Sequence, residues 1–161
     1  DKTAEYSLSD YVAKNIELIS AQLILARSFL DLGEIERARK HALDAFEKSD
    51  NSENQQIHAR AQAVLGRYHA KIGDLDVASH HYSNALEAMG EEGDILSMVD
   101  ITILLGEVLQ DAGRTEEAME HFREALILSF VVQVSLNSNR TEFSLEKRVQ
   151  FLHDLFPQQE E

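Results

Sequence analysis

Residues 61–85, AQAVLGRYHAKIGDLDVASHHYSNA, indicate the fold of this chain, because the same pattern occurs 40 residues earlier and 40 residues later. A period of about 20–50 residues is typical of stacked structural repeats. Each unit of such an array contacts only its neighbours, so the array offers an extended curved surface. The aligned columns are Leu25, Leu65 and Leu105; Ala26, Gly66 and Gly106; Gly33, Gly73 and Gly113; Ala38, Ala78 and Ala118; and Ala45, Ala85 and Ala125.

Each copy of the pattern predicts two helices separated by a glycine. In the second copy, apolar residues recur at spacings of three and four, which is the period of an amphipathic helix. Helices are predicted there over 57–71 and 74–88, with Gly73 ending the first of them. The same reasoning predicts helices near 9–32, 35–49, 93–112 and 115–130. The predicted class is therefore all-α, a solenoid of three helix-turn-helix repeats plus a C-terminal capping helix.

The chain of 161 residues is interpreted as a single domain with repeats at about 9–49, 54–89 and 93–130 and a tail over 131–161. It begins at Asp1 without an initiator Met, so we interpret it as an excised domain or a processed chain. In the tail, residues 130–134 either extend the last helix or form a β-prone strand. A short helix over about 144–155 is expected to cap the array, and the alternative is the start of a fourth repeat.

Composition argues against several classes of function. The formal net charge of −14 opposes binding to nucleic acid and to anionic membrane surfaces, which both require clustered Lys and Arg. No apolar run reaches the roughly 18–20 residues of a membrane span. The absence of Cys excludes disulfides, thiolate catalysis and Cys-based zinc sites. Composition leaves the compartment open, with the cytoplasm slightly favoured.

These columns resemble the tetratricopeptide repeat, whose pattern combines Leu-Gly, a Gly turn, Ala, an aromatic residue and Ala. The second and third copies match at all of these positions, including the aromatic residues Tyr82 and Phe122, whereas Ala26 and Ala42 depart from the pattern in the first copy. The usual repeat has about 34 residues, and the longer period here resembles that of Pins-type scaffolds and bacterial regulators and sensors. The resemblance implies a right-handed superhelix with a concave groove, protein or peptide binding, and no catalysis. The chain is then the sensing or scaffolding part of a larger regulatory protein.

In this family, one stripe of each first helix faces the groove. The resemblance therefore implies a peptide-binding groove lined by Leu23, Arg27, Leu30, Arg60, Arg67, Lys71, Ile103 and Glu107. Such a groove is basic over two repeats and acidic at the third, and it suits a protein or peptide partner with acidic side chains or a C-terminal carboxylate. The alternative is a solvated helix face without a ligand. Leu23 and Arg27 stand where the family's chaperone-tail binders carry a Lys and an Asn, so binding of chaperone C-termini is not expected.

Two further columns have structural interpretations. Gly66 and Gly106 are expected to let the second helix of each repeat approach closely, opposite Ala78 and Ala118, and Ala in place of Gly66 is expected to be tolerated. The column of His41, His81 and His121 is not expected to bind a metal, because equivalent positions on stacked helices lie on the order of 10 Å apart, too far to share one zinc ion.

Self-association is the alternative function, with the terminal repeat face forming a homodimer. It would use the apolar residues Phe130, Val131, Val134, Leu152 and Phe156. An enzyme is the most distant alternative, because no nucleophile, base and orienting group can be assembled from the sequence. No catalytic, metal-binding or cofactor-binding residue is predicted.

Overall fold

The computed structural model describes residues 8–50, 54–90 and 93–137, and all regular secondary structure in these ranges is helical. The helices are α1 (Leu8–Asp31), α2 (Ile35–Asp50), α3 (Gln55–Ile72), α4 (Leu75–Met89), α5 (Ile95–Asp111) and α6 (Thr115–Asn137). This architecture confirms the predicted all-α repeat class. Residues 130–134 belong to α6, so they extend the last helix and do not form a strand. The predicted capping helix lies outside the described residues.

The helices pack as three consecutive pairs that are linked into one stack. Each pair is formed by neighbours in the chain, α1 with α2, α3 with α4 and α5 with α6, and α2–α3 and α4–α5 contacts join the pairs. The first helices α1 and α3 also contact each other. This pattern of nearest-neighbour contacts is that of a helical solenoid.

A glycine in the left-handed conformation ends the first helix of each pair. Gly33, Gly73 and Gly113 have φ angles of 76°, 89° and 77°, which residues with a Cβ adopt at a cost. At the end of α3, the Gly73 N–H donates to the Ala70 carbonyl at 3.2 Å and the Asp74 N–H donates to the His69 carbonyl at 2.9 Å. These two bonds satisfy the last carbonyl groups of the helix and turn the chain toward α4.

Alanines form much of the interface between the two helices of a pair. Ala38, Ala45, Ala78, Ala85 and Ala118 are all buried. Their small side chains allow the helix axes to approach closely, while larger residues fill the spaces on either side. The result is a core divided into clusters that follow the helix pairs.

The partners of the two helical glycines differ from those predicted. A Cβ on Gly66 would lie 2.7 Å from Cε1 of Tyr82, and one on Gly106 would lie 2.6 Å from Cε1 of Phe122. Each glycine therefore accommodates an aromatic ring from the second helix, which was not predicted from the sequence. The close approach of the second helix at Gly66 and Gly106 is as expected, and the nearest atoms belong to the ring.

The repeated leucine column has two environments. Leu65 and Leu105 are each 2% exposed, whereas Leu25 is 43% exposed. Leu65 packs in a cluster with Ile19 and Leu23 of the preceding pair. No helix pair precedes α1 in the described part of the chain, so Leu25 has no equivalent cover.

Candidate functional site: a pocket between the helix pairs

An open pocket of about 390 Å³ lies where the first helices face one another. Helices α1 and α3 form two of its walls, α5 forms a third, and α4 contributes one residue. The lining residues are Arg27, Leu30 and Asp31 from α1; Arg67, Ala70 and Lys71 from α3; Tyr82 from α4; and Leu104 and Glu107 from α5. Side chains from three different helix pairs therefore share one concave site.

Five of the predicted groove residues line this pocket, namely Arg27, Leu30, Arg67, Lys71 and Glu107. They belong to the same stripe on each of the three first helices. Contact between α1 and α3 places the stripe residues of the first helix pair beside those of the second. That these residues bind a peptide stays a prediction.

The other three predicted groove residues lie elsewhere. Leu23 is 2% exposed and packs in the core, so it cannot offer the apolar contact expected of it. Arg60 lies outside the pocket, and its Nη1 donates to Oγ of Ser20 at 3.4 Å. Ile103 is exposed on α5 but does not line the pocket. Part of the predicted groove-facing stripe of α1 is therefore buried, because the packing of α1 against its neighbours decides which of its faces lies in the core.

Tyr82 is one of four pocket residues, with Asp31, Ala70 and Leu104, that are not in the predicted groove set. It lies on the second helix of its pair, at the aromatic position of the repeat pattern, and its side chain is only 1% exposed. The sequence contained one signal for such a role. The next repeat has Phe122 at the equivalent position, so the hydroxyl of Tyr82 is an addition that the repeat pattern does not require. Polar groups of buried residues generally have a hydrogen-bond partner, so a tyrosine in this column suggests a polar contact.

The pocket is positively charged in an otherwise acidic protein. Arg27, Arg67 and Lys71 face two carboxylates, Asp31 and Glu107, which leaves a local excess of one positive charge, whereas the whole chain carries −14. Within the described ranges, these three cations form no ion pair or hydrogen bond with the protein. Their charges are therefore available to a ligand.

Three arginines outside the pocket, Arg37, Arg39 and Arg114, pair with a glutamate three residues away. Arg37 Nη1 contacts Oε2 of Glu34 at 2.6 Å, and Arg114 Nη2 contacts Oε2 of Glu117 at 2.5 Å. The mutual hydrogen bond in the second pair lowers the pKa of Glu117. Side chains three residues apart on a helix are neighbours, so such pairs form readily. Arg60 and Arg123 form no ion pair among the described residues either, so the distinguishing feature of Arg27, Arg67 and Lys71 is that they line one site.

The electrostatic state of Tyr82 follows from its position. Burial raises the pKa of Tyr82 to about 12, with smaller opposing effects from Arg67, which lowers it, and Glu107, which raises it. The hydroxyl therefore keeps its proton at neutral pH. It has no hydrogen-bond partner among the described residues, so it is an unused donor at the pocket.

The three repeated histidines occupy three separate environments. His41 stacks on Phe29 with ring centroids 5.5 Å apart, and Nδ1 of His121 lies 3.3 Å from Oε2 of Glu124. His81 stacks on His69 at 5.3 Å. In the part of the chain that the structure describes, no group of three or more His, Asp or Glu residues is arranged to hold a metal ion.

The residues predicted for self-association are described only in part. Val131 is exposed on α6, and Phe130 and Val134 are half-buried on the same helix. Leu152 and Phe156 lie outside the described residues. Among the described helices, none is long and apolar enough to cross a membrane.

The fold and the pocket together define a helical-repeat protein with a concave face. The sequence profile of the tetratricopeptide repeat matches residues 23–78 and 63–129. Because these matches jointly span residues 23–129, which is more than half of the chain, the protein belongs to the tetratricopeptide repeat family. A comparison with curated protein sequences finds no match. Tetratricopeptide repeats generally mediate protein–protein interaction or scaffolding and are typically non-catalytic.

Proposed function

We propose that this protein is a peptide-binding module, the sensing or scaffolding part of a larger regulatory protein, which holds an acidic segment of its partner in the pocket. The observation that carries this proposal is the set of three unpaired cations, Arg27, Arg67 and Lys71, on the concave side of a chain of charge −14. A carboxylate bound there would gain charge-assisted hydrogen bonds, and a guanidinium can bind both of its oxygens.

The remaining walls of the pocket narrow the choice of partner. The half-buried Leu104 offers apolar surface for the aliphatic part of a peptide side chain, and the buried Leu30 adds a smaller apolar area to the same pocket. Asp31 and Glu107 repel additional negative charge, so a uniformly acidic segment is disfavoured. A peptide with one acidic side chain, or with a free C-terminal carboxylate, satisfies both conditions.

Selection from a library of short random peptides displayed with free or amidated C-termini tests this function. We expect the enriched peptides to carry a carboxylate, either in a side chain or at the C-terminus. Enrichment of neutral or basic peptides would contradict the proposal. So would acidic peptides that bind equally well to a variant with Arg27→Glu and Arg67→Glu.

Self-association is the second candidate function, and exposed apolar residues at one end of the array favour it. Tyr11, Leu18 and Leu25 on α1, and Leu32 directly after it, are all exposed and follow one another at seven-residue spacing, which is the spacing of a helix–helix seam. The equivalent of Leu25 in later pairs is covered by the preceding helix pair. A second copy of the chain is the partner that would supply matching helices.

A further inference from the structure

We propose that the hydroxyl of Tyr82, together with Arg27 and Arg67, forms a subsite for a single carboxylate group of the bound peptide. This inference rests on the proposed function, because it assigns a ligand group to polar side chains of the same pocket. The ligand class is a peptide carboxylate, whether from an acidic side chain or from the C-terminus.

The first argument is the unused hydrogen-bonding capacity of the Tyr82 hydroxyl at the pocket. Tyr82 lines the pocket although it is 1% exposed, and no protein group in the described ranges bonds to its hydroxyl. Among the described side chains only Oε1 of Gln22 is both buried and without a partner, so the Tyr82 hydroxyl is open to the pocket. An anionic acceptor that enters the pocket can therefore gain a charge-assisted hydrogen bond from it. The influence of Arg67 and Glu107 on the phenol places the hydroxyl within electrostatic reach of the charged walls.

The second argument is that packing fixes the position of the ring. Cε1, Cδ1 and Cζ of Tyr82 all lie within 3.0 Å of the point where a Cβ on Gly66 would be. The ring therefore lies directly against the backbone of α3, and it cannot swing without leaving its place in the core. A donor held in this way is preorganised, so little conformational entropy is lost when a ligand binds.

The third argument concerns the charge of the ligand. A protonated hydroxyl and two guanidinium groups are all donors, which suits an anion. Asp31 and Glu107 lie on the same walls, and their negative charges disfavour a doubly charged group such as phosphate. A singly charged carboxylate is the anion that fits this balance.

The subsite is specific to the second helix pair. The equivalent positions in the first and third pairs are Ala42 and Phe122, which have no hydroxyl. A carboxylate bound at Tyr82 would therefore fix the register of the peptide along the array. The same comparison supplies the test variant, because the fold already accepts Phe at this position against a glycine.

The experiment uses NMR titration of the whole chain with labelled backbone amides and labelled tyrosine rings. The probes are acetyl-Gly-Asp-Gly-amide, acetyl-Gly-Asn-Gly-amide, and acetyl-Gly-Gly-Gly with a free C-terminus. We expect one or both carboxylate peptides to shift the Tyr82 ring signals and the neutral peptide to leave them unchanged. The two carboxylate peptides distinguish the side-chain source from the C-terminal source.

Tyr82→Phe should weaken carboxylate binding about ten-fold or more, as expected for the loss of a hydrogen bond to a charged group. Phe122→Tyr is the matched control and should leave it unchanged. If Arg27→Glu with Arg67→Glu abolishes binding but Tyr82→Phe does not weaken it, the subsite is wrong and the proposed function stands. If neither carboxylate peptide binds or shifts the ring signals of the unmodified protein, both fail. The ring signals are read on the unmodified protein, so this result does not depend on the folding of a variant.

Discussion

Gly66 and Tyr82 are in direct contact, because a Cβ on the glycine would lie 2.7 Å from Cε1 of the ring. The third pair repeats the arrangement with Gly106 and Phe122. In the first pair both positions are alanine, at Ala26 and Ala42, and both are fully buried. The two columns are therefore coupled: an aromatic residue on the second helix occurs with a glycine on the first.

Gly66→Ala should destabilise the protein by about 1–3 kcal/mol, as typical for overpacking, because the added methyl group would displace the buried ring of Tyr82. This corrects the expectation that alanine is tolerated there. The measurement is the free energy of unfolding from urea denaturation. In a Tyr82→Ala background, the same change should be neutral or stabilising by up to about 1 kcal/mol, the helix-propensity difference. Equal effects in both backgrounds would mean that the ring and the glycine are not coupled.

Charge reversal at Arg27 and Arg67 should abolish binding of an acidic peptide while leaving the melting temperature nearly unchanged. Neither side chain is in the core or in an ion pair among the described residues, so little folding energy depends on it. Fluorescence anisotropy with a labelled acidic peptide measures the affinity. The control is Arg39→Glu with Arg123→Glu, which changes the net charge equally outside the pocket. An equal loss of binding in the control would show that only net charge matters.

Peptide binding should also weaken as salt is raised. The pocket is open, and charges that remain in contact with solvent are screened over about 8–10 Å at physiological ionic strength. The same peptide titrated at low and at high sodium chloride should therefore lose affinity in the unmodified protein. The residual binding of the Arg27→Glu, Arg67→Glu variant should change much less. Binding that is independent of salt would point to the apolar walls in place of the cations.

The stability of the protein should fall as the pH drops below the ordinary histidine pKa. Burial lowers the pKa of His81, and nearby His69 and His80 lower it further. In this pH range the unfolded chain binds a proton more readily than the folded chain, so acid favours unfolding. Nδ1 of His81 lies 2.7 Å from Oε1 of Gln62, and its ring also packs edge-on against Phe46.

His81→Gln should flatten this pH dependence between about pH 5 and 7, measured as the unfolding free energy at a series of pH values. His121→Gln removes a histidine on α6, outside this cluster, and should leave the curve close to that of the unmodified protein. An unchanged slope in His81→Gln would assign the acid sensitivity to other groups.

If the chain self-associates through α1, Leu18→Asp with Leu25→Asp should convert a dimer into a monomer in analytical ultracentrifugation. Both residues are exposed, so a charge there should not disturb the core. Val131→Asp tests the terminal face of α6 in the same way. A monomeric unmodified chain would reject self-association by either face.

Much of the fold was predictable because its determinants are local. The positive φ angles at Gly33, Gly73 and Gly113 follow from the need for a left-handed residue after a helix. Apolar residues spaced at three and four predicted helix bounds within a few residues of those observed for α2 and α4. Five of the eight predicted groove residues line the pocket, because a stripe on one helix keeps its relation to the same stripe on the next; their role in binding stays a prediction.

Tertiary structure decided what the columns could not show. Leu25 and Leu65 occupy the same column, yet only Leu65 is buried, because burial depends on whether another helix pair lies on that side. Leu23 was predicted to line the groove and lies in the core for the same kind of reason. Tyr82 was predicted only as the aromatic position of the repeat pattern, and it lines the pocket because residues of three helix pairs meet there. Sequence periodicity specifies which residues share a face, and only the packing of neighbouring helices determines what that face meets.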